Sequence, residues 1–306
     1  MELFKNANFD FQGIRRKCLA TSAILILAGI VSLILHGGPN WSIDFTGGIS
    51  VQLRFQKPIT EGDVRTVMNR IGLGDSEIKR ITELGGQPDI LVQFKKSAAT
   101  EGGVDKIKAA LQQAYPDNPF EVRQVENIGA KIGKELRWKA VWASLLAMGG
   151  ILIYVSVRFE FLFSLAGVIA LFHDVLITVG IFSILNKEFS LTIIAALLTL
   201  VGYSINDTIV VFDRIRENLK RMKMKGLEEI INTSINQTLS RTIITSLTVW
   251  IVLWILFIFG GSVIRDFALA LLIGVFTGTY SSIYIASPIL IEWNARAEKL
   301  QKQKQK

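Results

Sequence analysis

The chain alternates between long apolar runs and polar connections. Six of the runs are long and apolar enough to form helices that cross the hydrocarbon core of a bilayer, which needs roughly 17–25 such residues. They span residues 18–35, 140–157, 161–185, 190–212, 242–259 and 267–291. The pattern predicts a polytopic α-helical membrane protein with six transmembrane helices, preceded by residues 1–17 and followed by a polar tail, residues 292–306.

The first run has the basic flank and apolar core of a signal peptide. Its core is longer than that of a typical signal peptide, and it continues into Gly37-Gly38-Pro39 without a cleavage site of small residues. We therefore expect a retained helix. The single cysteine, Cys18, cannot form an internal disulfide.

The connection of residues 36–137 has the pattern of a folded α+β domain. Alternating apolar residues predict half-buried strands, two of which flank a turn at Gly85-Gly86-Gln87-Pro88. Helices are expected after Thr60, where Asp63 completes a capping box, and after Thr100. The strands are predicted at Gly48–Phe55, 77–82, 90–96 and 120–125. Their βαββαβ order predicts a ferredoxin-like domain that serves as a small binding or packing module.

Lysine and arginine concentrate in alternate connections: residues 1–17, Arg158, residues 214–225 and the tail. The positive-inside bias predicts that both termini are cytoplasmic and that the ferredoxin-like domain is extracytoplasmic. This bias accounts for most of the net charge of +8, so we expect contacts with membrane lipids and no nucleic-acid partner.

The cytoplasmic connection, residues 214–241, is amphipathic. Its apolar residues, such as Ile215, Ile230 and Ile235, could lie on the membrane while basic residues face the headgroups. Gly226 would divide this segment in two. We expect an interfacial scaffold.

Asp207 is the only charged residue within residues 190–212. A carboxylate near the bilayer interior is costly, and membrane proteins that keep one commonly use it to move protons or ions. Asp207 shares a helix face with Tyr203 and with Ser204. The functional interpretation is a proton-binding carboxyl, and the alternative is a structural hydrogen bond between helices.

Several further polar residues are candidates to support a proton relay. His173-Asp174 lies midway along the third run, where it could titrate or simply bond a neighbouring helix. Arg241, before the fifth run, could extend to the headgroups or turn inward and pair with Asp207. Asp213 and Arg214 could form an end-cap pair or a proton entry, and Asn206 adjoins Asp207. We find no zinc-type spacing and no catalytic constellation, so neither a metal nor an enzyme activity is expected.

Small residues predict close helix packing. Gly274-x-x-x-Gly278 in the last run allows another helix to approach closely, and Gly149-Gly150 in the second could do the same. Pro288 could kink the last helix.

Three segments resemble the SecF branch of the SecD/SecF protein-export family, within the RND superfamily. They are Ser42-Ile43-Asp44-Phe45-Thr46-Gly47-Gly48, residues 202–218 beginning Gly202-Tyr203-Ser204, and residues 240–246, with the His173-Asp174 pair also fitting. The layout agrees along nearly the whole chain. The resemblance implies one RND-type half of six helices, completed by a SecD half, in the plasma (inner) membrane of a prokaryote. It also implies that Asp207 and Arg241 lie on the proton pathway, with Asp44, Gly47, Gly48 and Gly202 as motif positions.

The resemblance further implies a function. Together with SecD, such a protein uses the proton motive force to complete preprotein export after SecA has driven the preprotein through the SecYEG channel. YajC and YidC are possible associates. The energy source would be the proton gradient, and no cofactor is expected. Two alternatives stay open: half of an RND-type exporter of small molecules or lipids, and a purely structural translocon subunit.

Overall fold

The computed structural model describes residues 7–81, 88–95, 102–159 and 161–294. The predicted turn at residues 85–87, the helix start at Thr100 and most of the basic tail lie outside these residues. Along the described chain the elements are α1 (Arg15–Leu35), α2 (Ile43–Thr46), β1 (Gly48–Phe55), α3 (Glu61–Arg70), β2 (Glu77–Ile81), β3 (Asp89–Lys95), α4 (Gly103–Ala114), β4 (Phe120–Ile128), α5 (Ala130–Arg158), α6 (Phe161–Ile184), α7 (Leu191–Arg221), α8 (Leu227–Phe259) and α9 (Gly261–Ser281).

Six helices of the described chain are long and apolar enough to cross a membrane: α1, α5, α6, α7, α8 and the last helix, Ile264–Asn294. The prediction of a six-helix membrane protein is confirmed. The last helix passes through a π-helical turn, Ser282–Ala286, shortly before Pro288. Because proline has no N–H to donate, regular helical bonding cannot continue unchanged through this point.

Residues 214–241 are parts of two long helices, and the predicted division at Gly226 is confirmed. These residues extend α7 and begin α8, and a short turn containing Gly226 separates the two helices. The apolar side chains of Ile215, Ile231 and Ile235 are buried in the core between the helices. This packing removes the apolar side chains from water.

The ferredoxin-like prediction is confirmed for residues 48–128. The four strands form an antiparallel sheet in the order β2-β3-β1-β4, as a βαββαβ connection produces. Thr60 and Asp63 form the predicted capping box at the start of α3. One face of the sheet packs its apolar residues against α3 and α4, with a core that includes Val51, Leu53, Val92, Met68 and Leu111.

Close glycine contacts join the membrane helices. A Cβ atom on Gly274 would lie 2.5 Å from a methyl carbon of Leu200, so α9 packs tightly on α7. Likewise, a Cβ on Gly29 of α1 would lie 2.6 Å from the Cα of Gly180 in α6. By contrast, no described atom lies within 4 Å of the Cβ positions of Gly149 and Gly150, so the described chain supplies no helix for that face of α5.

Candidate functional site

Asp207 is buried at the meeting point of three membrane helices. It lies near the middle of α7, roughly 24 Å along the axis from Leu191 at 1.5 Å per residue, and it is 4% exposed. Ser246 of α8 donates a hydrogen bond to its carboxylate at 3.3 Å, and the Ser246 hydroxyl lies 2.6 Å from that of Thr279 in α9. A change in the charge of Asp207 therefore acts directly on the packing of α7, α8 and α9.

Arg241 does not bond directly to Asp207. Within the described chain it makes no ion pair with this carboxylate; its side chain is exposed and lines a cavity of 430 Å³. Asn206, Asp213 and Glu217 line the same cavity, which lies at the end of the helix bundle far from the sheet. The cavity brings together the predicted relay residue Arg241 and the possible support residues Asn206 and Asp213, and Asp207 is not on its wall.

Asp213 and Arg214 do not form the predicted end-cap pair with each other. Asp213 pairs with Arg158 at the end of α5 at 3.2 Å, and Arg214 pairs with Glu217 one turn later at 2.9 Å. Adjacent residues on a helix point about 100° apart, so each finds its own partner.

His173 and Asp174 form a second buried polar cluster, distinct from that of Asp207. The Nδ1 atom of His173 lies 2.9 Å from Asp174, and its Nε2 atom lies 2.9 Å from the hydroxyl of Ser22 in α1. Ser204 of α7 and Ser281 of α9 donate to the other carboxylate oxygen at 2.6 and 2.8 Å. Ser204 thus serves Asp174 and not Asp207, although the sequence placed it beside Asp207.

The order Ser22–His173–Asp174 has the connectivity of an acyl-transfer triad, but its surroundings do not suit that chemistry. Ser22 is buried inside α1, where the helix itself uses the backbone N–H groups, so no oxyanion hole faces it. Among the described residues, no group of three or more His, Cys, Asp or Glu side chains could hold a metal ion. The cluster is suited to joining helices and to exchanging a proton.

The motif residues Asp44, Gly47 and Gly48 join the sheet to the membrane helices. Asp44 accepts a hydrogen bond from the backbone N–H of Leu191 at 3.0 Å, which satisfies one of the free N–H groups at the start of α7. Gly47 packs so closely that a Cβ would lie 2.7 Å from the backbone nitrogen of Ala130. The same short segment therefore contacts the helix that carries Asp207 and the helix that follows β4.

Gly202, another motif position, lies on the opposite side of α7. It is exposed, and no described atom lies within 4 Å of its Cβ position. Asn206, one turn later, is also exposed. Helix α7 therefore turns Ser204, Asp207 and Thr208 inward and leaves a surface of small and polar residues open on the other side.

Sequence reasoning missed the hydroxyl groups that surround both carboxylates. Ser22, Thr279 and Ser281 are ordinary polar residues within apolar runs, and such residues are common in membrane helices. Ser246 falls in the segment that resembles the SecF branch, one turn after Thr242, and this spacing places both on one helix face. The helical spacing of Thr242 and Ser246 was therefore the sequence signal that could have identified this polar face.

Comparisons with known proteins identify the family. Residues 106–296 match the family described as protein export membrane protein SecD/SecF, C-terminal, and residues 32–59 match the SecD/SecF GG motif. The SecF protein translocase subunit of Thermodesulfovibrio yellowstonii is 45% identical over 296 residues, covering 95% of this chain and 96% of that protein. The corresponding subunit of Magnetococcus marinus is 48% identical over 296 residues, covering 95% and 94%.

Solved structures agree with this result. The translocon-associated membrane protein SecDF of Thermus thermophilus superimposes with a TM-score of 0.79 at 39% identity, over 95% of this chain and 39% of that one. SecDF in a super-membrane-facing form gives a TM-score of 0.76 at 39% identity, over 99% and 41%. The chain thus spans about two fifths of these longer proteins.

The described helices and the curated relatives together make this a multi-pass protein of the prokaryotic inner membrane. These relatives are SecF subunits of a protein translocase. The chain belongs to the SecD/SecF family of protein-export membrane proteins, as a SecF-type subunit.

Proposed function

We propose that this chain works with a SecD partner as a proton-driven subunit that completes preprotein export. Asp207 carries the proposal, because a carboxyl group buried between three membrane helices is costly to keep charged. Protonation removes that cost and weakens its attraction for the nearby cation Arg241. The three helices then repack around a neutral side chain.

In this scheme protons reach Asp207 from one face of the membrane by way of the cavity that Arg241 and Asn206, the neighbour of Asp207 in the chain, line. Asp213 and Glu217 on its wall can exchange protons with water, while Asn206 links the cavity to the exposed side of α7. A further acidic residue of the SecD half, facing that side, would complete the relay. The proton gradient is the energy source in this scheme, and no bound cofactor takes part.

The link from Asp207 to the sheet domain runs through α7 and Asp44. A movement of α7 pulls on Asp44, which caps its first turn, and β1 begins four residues later at Gly48. One elementary charge moved across 100 mV supplies about 2.3 kcal/mol, enough to change a two-state equilibrium by a few tens-fold. That bias is sufficient to move the domain between two positions.

The orientation follows from the charge bias of the connections. Both termini and the cavity lie in the cytoplasm, and the sheet domain lies outside, where it can hold the emerging preprotein. SecA drives the preprotein through SecYEG before this step, and YajC and YidC are expected associates.

The test is preprotein release into vesicles that contain this chain and its SecD partner, with and without an imposed proton gradient. Asp207→Asn should lose the gradient-dependent acceleration of release, because asparagine keeps the size and one acceptor but cannot bind and release a proton. The matched control is Glu229→Gln, an exposed carboxyl at the start of α8 that pairs with Lys225.

Equal gradient dependence in Asp207→Asn and wild type would make Asp207 a structural hydrogen-bonding group. The chain would then be a structural translocon subunit. Loss of the folded complex is checked separately by copurification of SecD.

A further inference from the structure

Two glutamates face each other where the sheet domain meets the membrane helices. Glu77 lies on β2, and Glu188 lies in the connection between α6 and α7. Glu188 lines the same cavity as Ser76, the residue before Glu77, and the carboxyl groups of the two glutamates interact. Both groups are acceptors when ionised. The Oε2 atom of Glu77 is buried and has no donor among the described residues. A proton on Glu188 supplies a donor at this contact.

Charged groups on the neighbouring elements surround this pair. Lys79 on β2 binds the other oxygen of Glu77 at 2.7 Å. Lys187, beside Glu188, is itself bound to Asp266 of α9 at 2.8 Å. Lys95 of β3 lines the adjoining cavity of 730 Å³, together with Arg65, Asp75 and His36. Lys187 pairs with Asp266 and Lys79 with Glu77, and among the described ion pairs none includes Glu188.

We propose that Glu77 and Glu188 share one proton and that this proton holds the sheet domain against the membrane helices. Ionisation of Glu188 places two negative charges in contact and releases the domain. The pair is a pH-sensitive latch on the side of the membrane that bears the sheet domain. It is separate from Asp207 and does not depend on the proton-driven step.

The directions in which the two pKa values shift agree with this geometry. Burial raises the pKa of Glu188 to about 9 from its ordinary 4.5, and the adjacent Glu77 adds to the rise. For Glu77, burial opposes ionisation, but the hydrogen bond from Glu188 and the Lys79 ammonium outweigh it and lower its pKa. At neutral pH the pair therefore holds one proton, on Glu188.

The sign of the pH effect follows from these directions. The contribution of Glu188 to docking is complete below its ordinary pKa and is lost as the pH rises through about 9. The contribution of Glu77 is present above its ordinary pKa and is lost only as the pH falls through its lowered value. Between the ordinary pKa of Glu188 and its raised value of about 9, the docking constant falls by up to about tenfold for each pH unit.

The shared proton is detected by infrared difference titration of the full chain in bilayers, without a proton gradient. Wild type should lose one protonated-carboxyl band near pH 9. That transition should be absent in Glu188→Gln and should move to lower pH in Glu77→Gln. It should be unchanged in Glu121→Gln, an exposed carboxyl of β4. The same titration in all four proteins would overturn the proposal.

Domain release is measured as the distance between spin labels on Gln113→Cys in α4 and Phe259→Cys at the end of α8, in a Cys18→Ser background. Both labelled positions are exposed. The distance distribution should broaden as the pH rises from about 6 to about 10 in wild type and Glu121→Gln. In Glu188→Gln the distribution should keep, over the whole range, the shape that it has at about pH 6. A distribution that ignores pH in wild type, or responds equally in Glu188→Gln, would show that the pair does not hold the domain.

Discussion

Glycine is required at two consecutive positions where the sheet domain joins the membrane helices. Gly47 has a φ angle of +77°, which residues with a Cβ rarely adopt. Gly48 has ordinary backbone angles, but a Cβ there would lie 2.5 Å from the carbonyl oxygen of Phe94 and equally close to Ile43. Conformation fixes the first glycine and packing fixes the second.

We expect Gly48→Ala to destabilise the chain by about 1–3 kcal/mol, because neither a carbonyl oxygen nor a packed isoleucine can move away cheaply. The matched control is Gly202→Ala, where the Cβ position is open and alanine favours the helix. Thermal unfolding of the purified chain distinguishes them: a lowered midpoint is expected for Gly48→Ala alone. Equal midpoints would show that the junction adapts.

At the scale of elements, α7 is the helix that connects the buried carboxyl to the sheet domain. Ser190 caps its N-terminus by accepting a hydrogen bond from Ile193, and Asp44 accepts from Leu191. The second cap comes from a distant part of the chain, so it links two elements as well as stabilising one. The carboxylate is also placed favourably at the positive end of the helix dipole.

Asp44→Ala should therefore weaken the first turn of α7 by about 0.5–2 kcal/mol, whereas Asp44→Asn keeps an acceptor oxygen and should cost less. Hydrogen exchange of the amide of Leu191 measures this directly, and exchange should be fastest in the alanine variant. Unchanged exchange in Asp44→Ala would mean that Ser190 alone holds this helix end.

At the scale of the whole molecule, Asp174 connects helices that are far apart in sequence. Its carboxylate, with His173, joins α6 to α1 through Ser22, to α7 through Ser204 and to α9 through Ser281. Each of these groups is buried. In a bilayer, where water is scarce, such a polar centre favours the relative rotation of the helices that lets its members bond to one another.

Asp174→Asn should fold with stability close to wild type. The side-chain oxygen of the asparagine can accept hydrogen bonds from Ser204 and Ser281. Its NH₂ group can donate to Nδ1 of His173 when the proton of the imidazole is on Nε2. Asp174→Leu should cost about 1–3 kcal/mol for each polar group left unpaired. Unfolding of the two variants in detergent compares them. Strong destabilisation by asparagine would show that the charge of Asp174, and not its hydrogen bonding, stabilises the fold.

The sequence by itself determined the class of protein, the number of membrane helices and the ferredoxin-like order of strands. These features depend on local periodicity and length, which every segment carries in its own residues. Asp207 could be singled out for the same reason, since one charge within an apolar run needs no knowledge of neighbours. The three SecF-like segments determined the family.

Only the tertiary structure decided which polar groups meet. It assigned Ser204 to Asp174, Asp213 to Arg158 and Ser246 to Asp207, pairings that depend on the rotation and depth of whole helices. It also turned residues 214–241 from an expected surface segment into two helix ends, because their apolar faces are buried against other helices. The contact of Glu77 with Glu188 joins residues more than a hundred positions apart, and no local pattern in either segment specifies it.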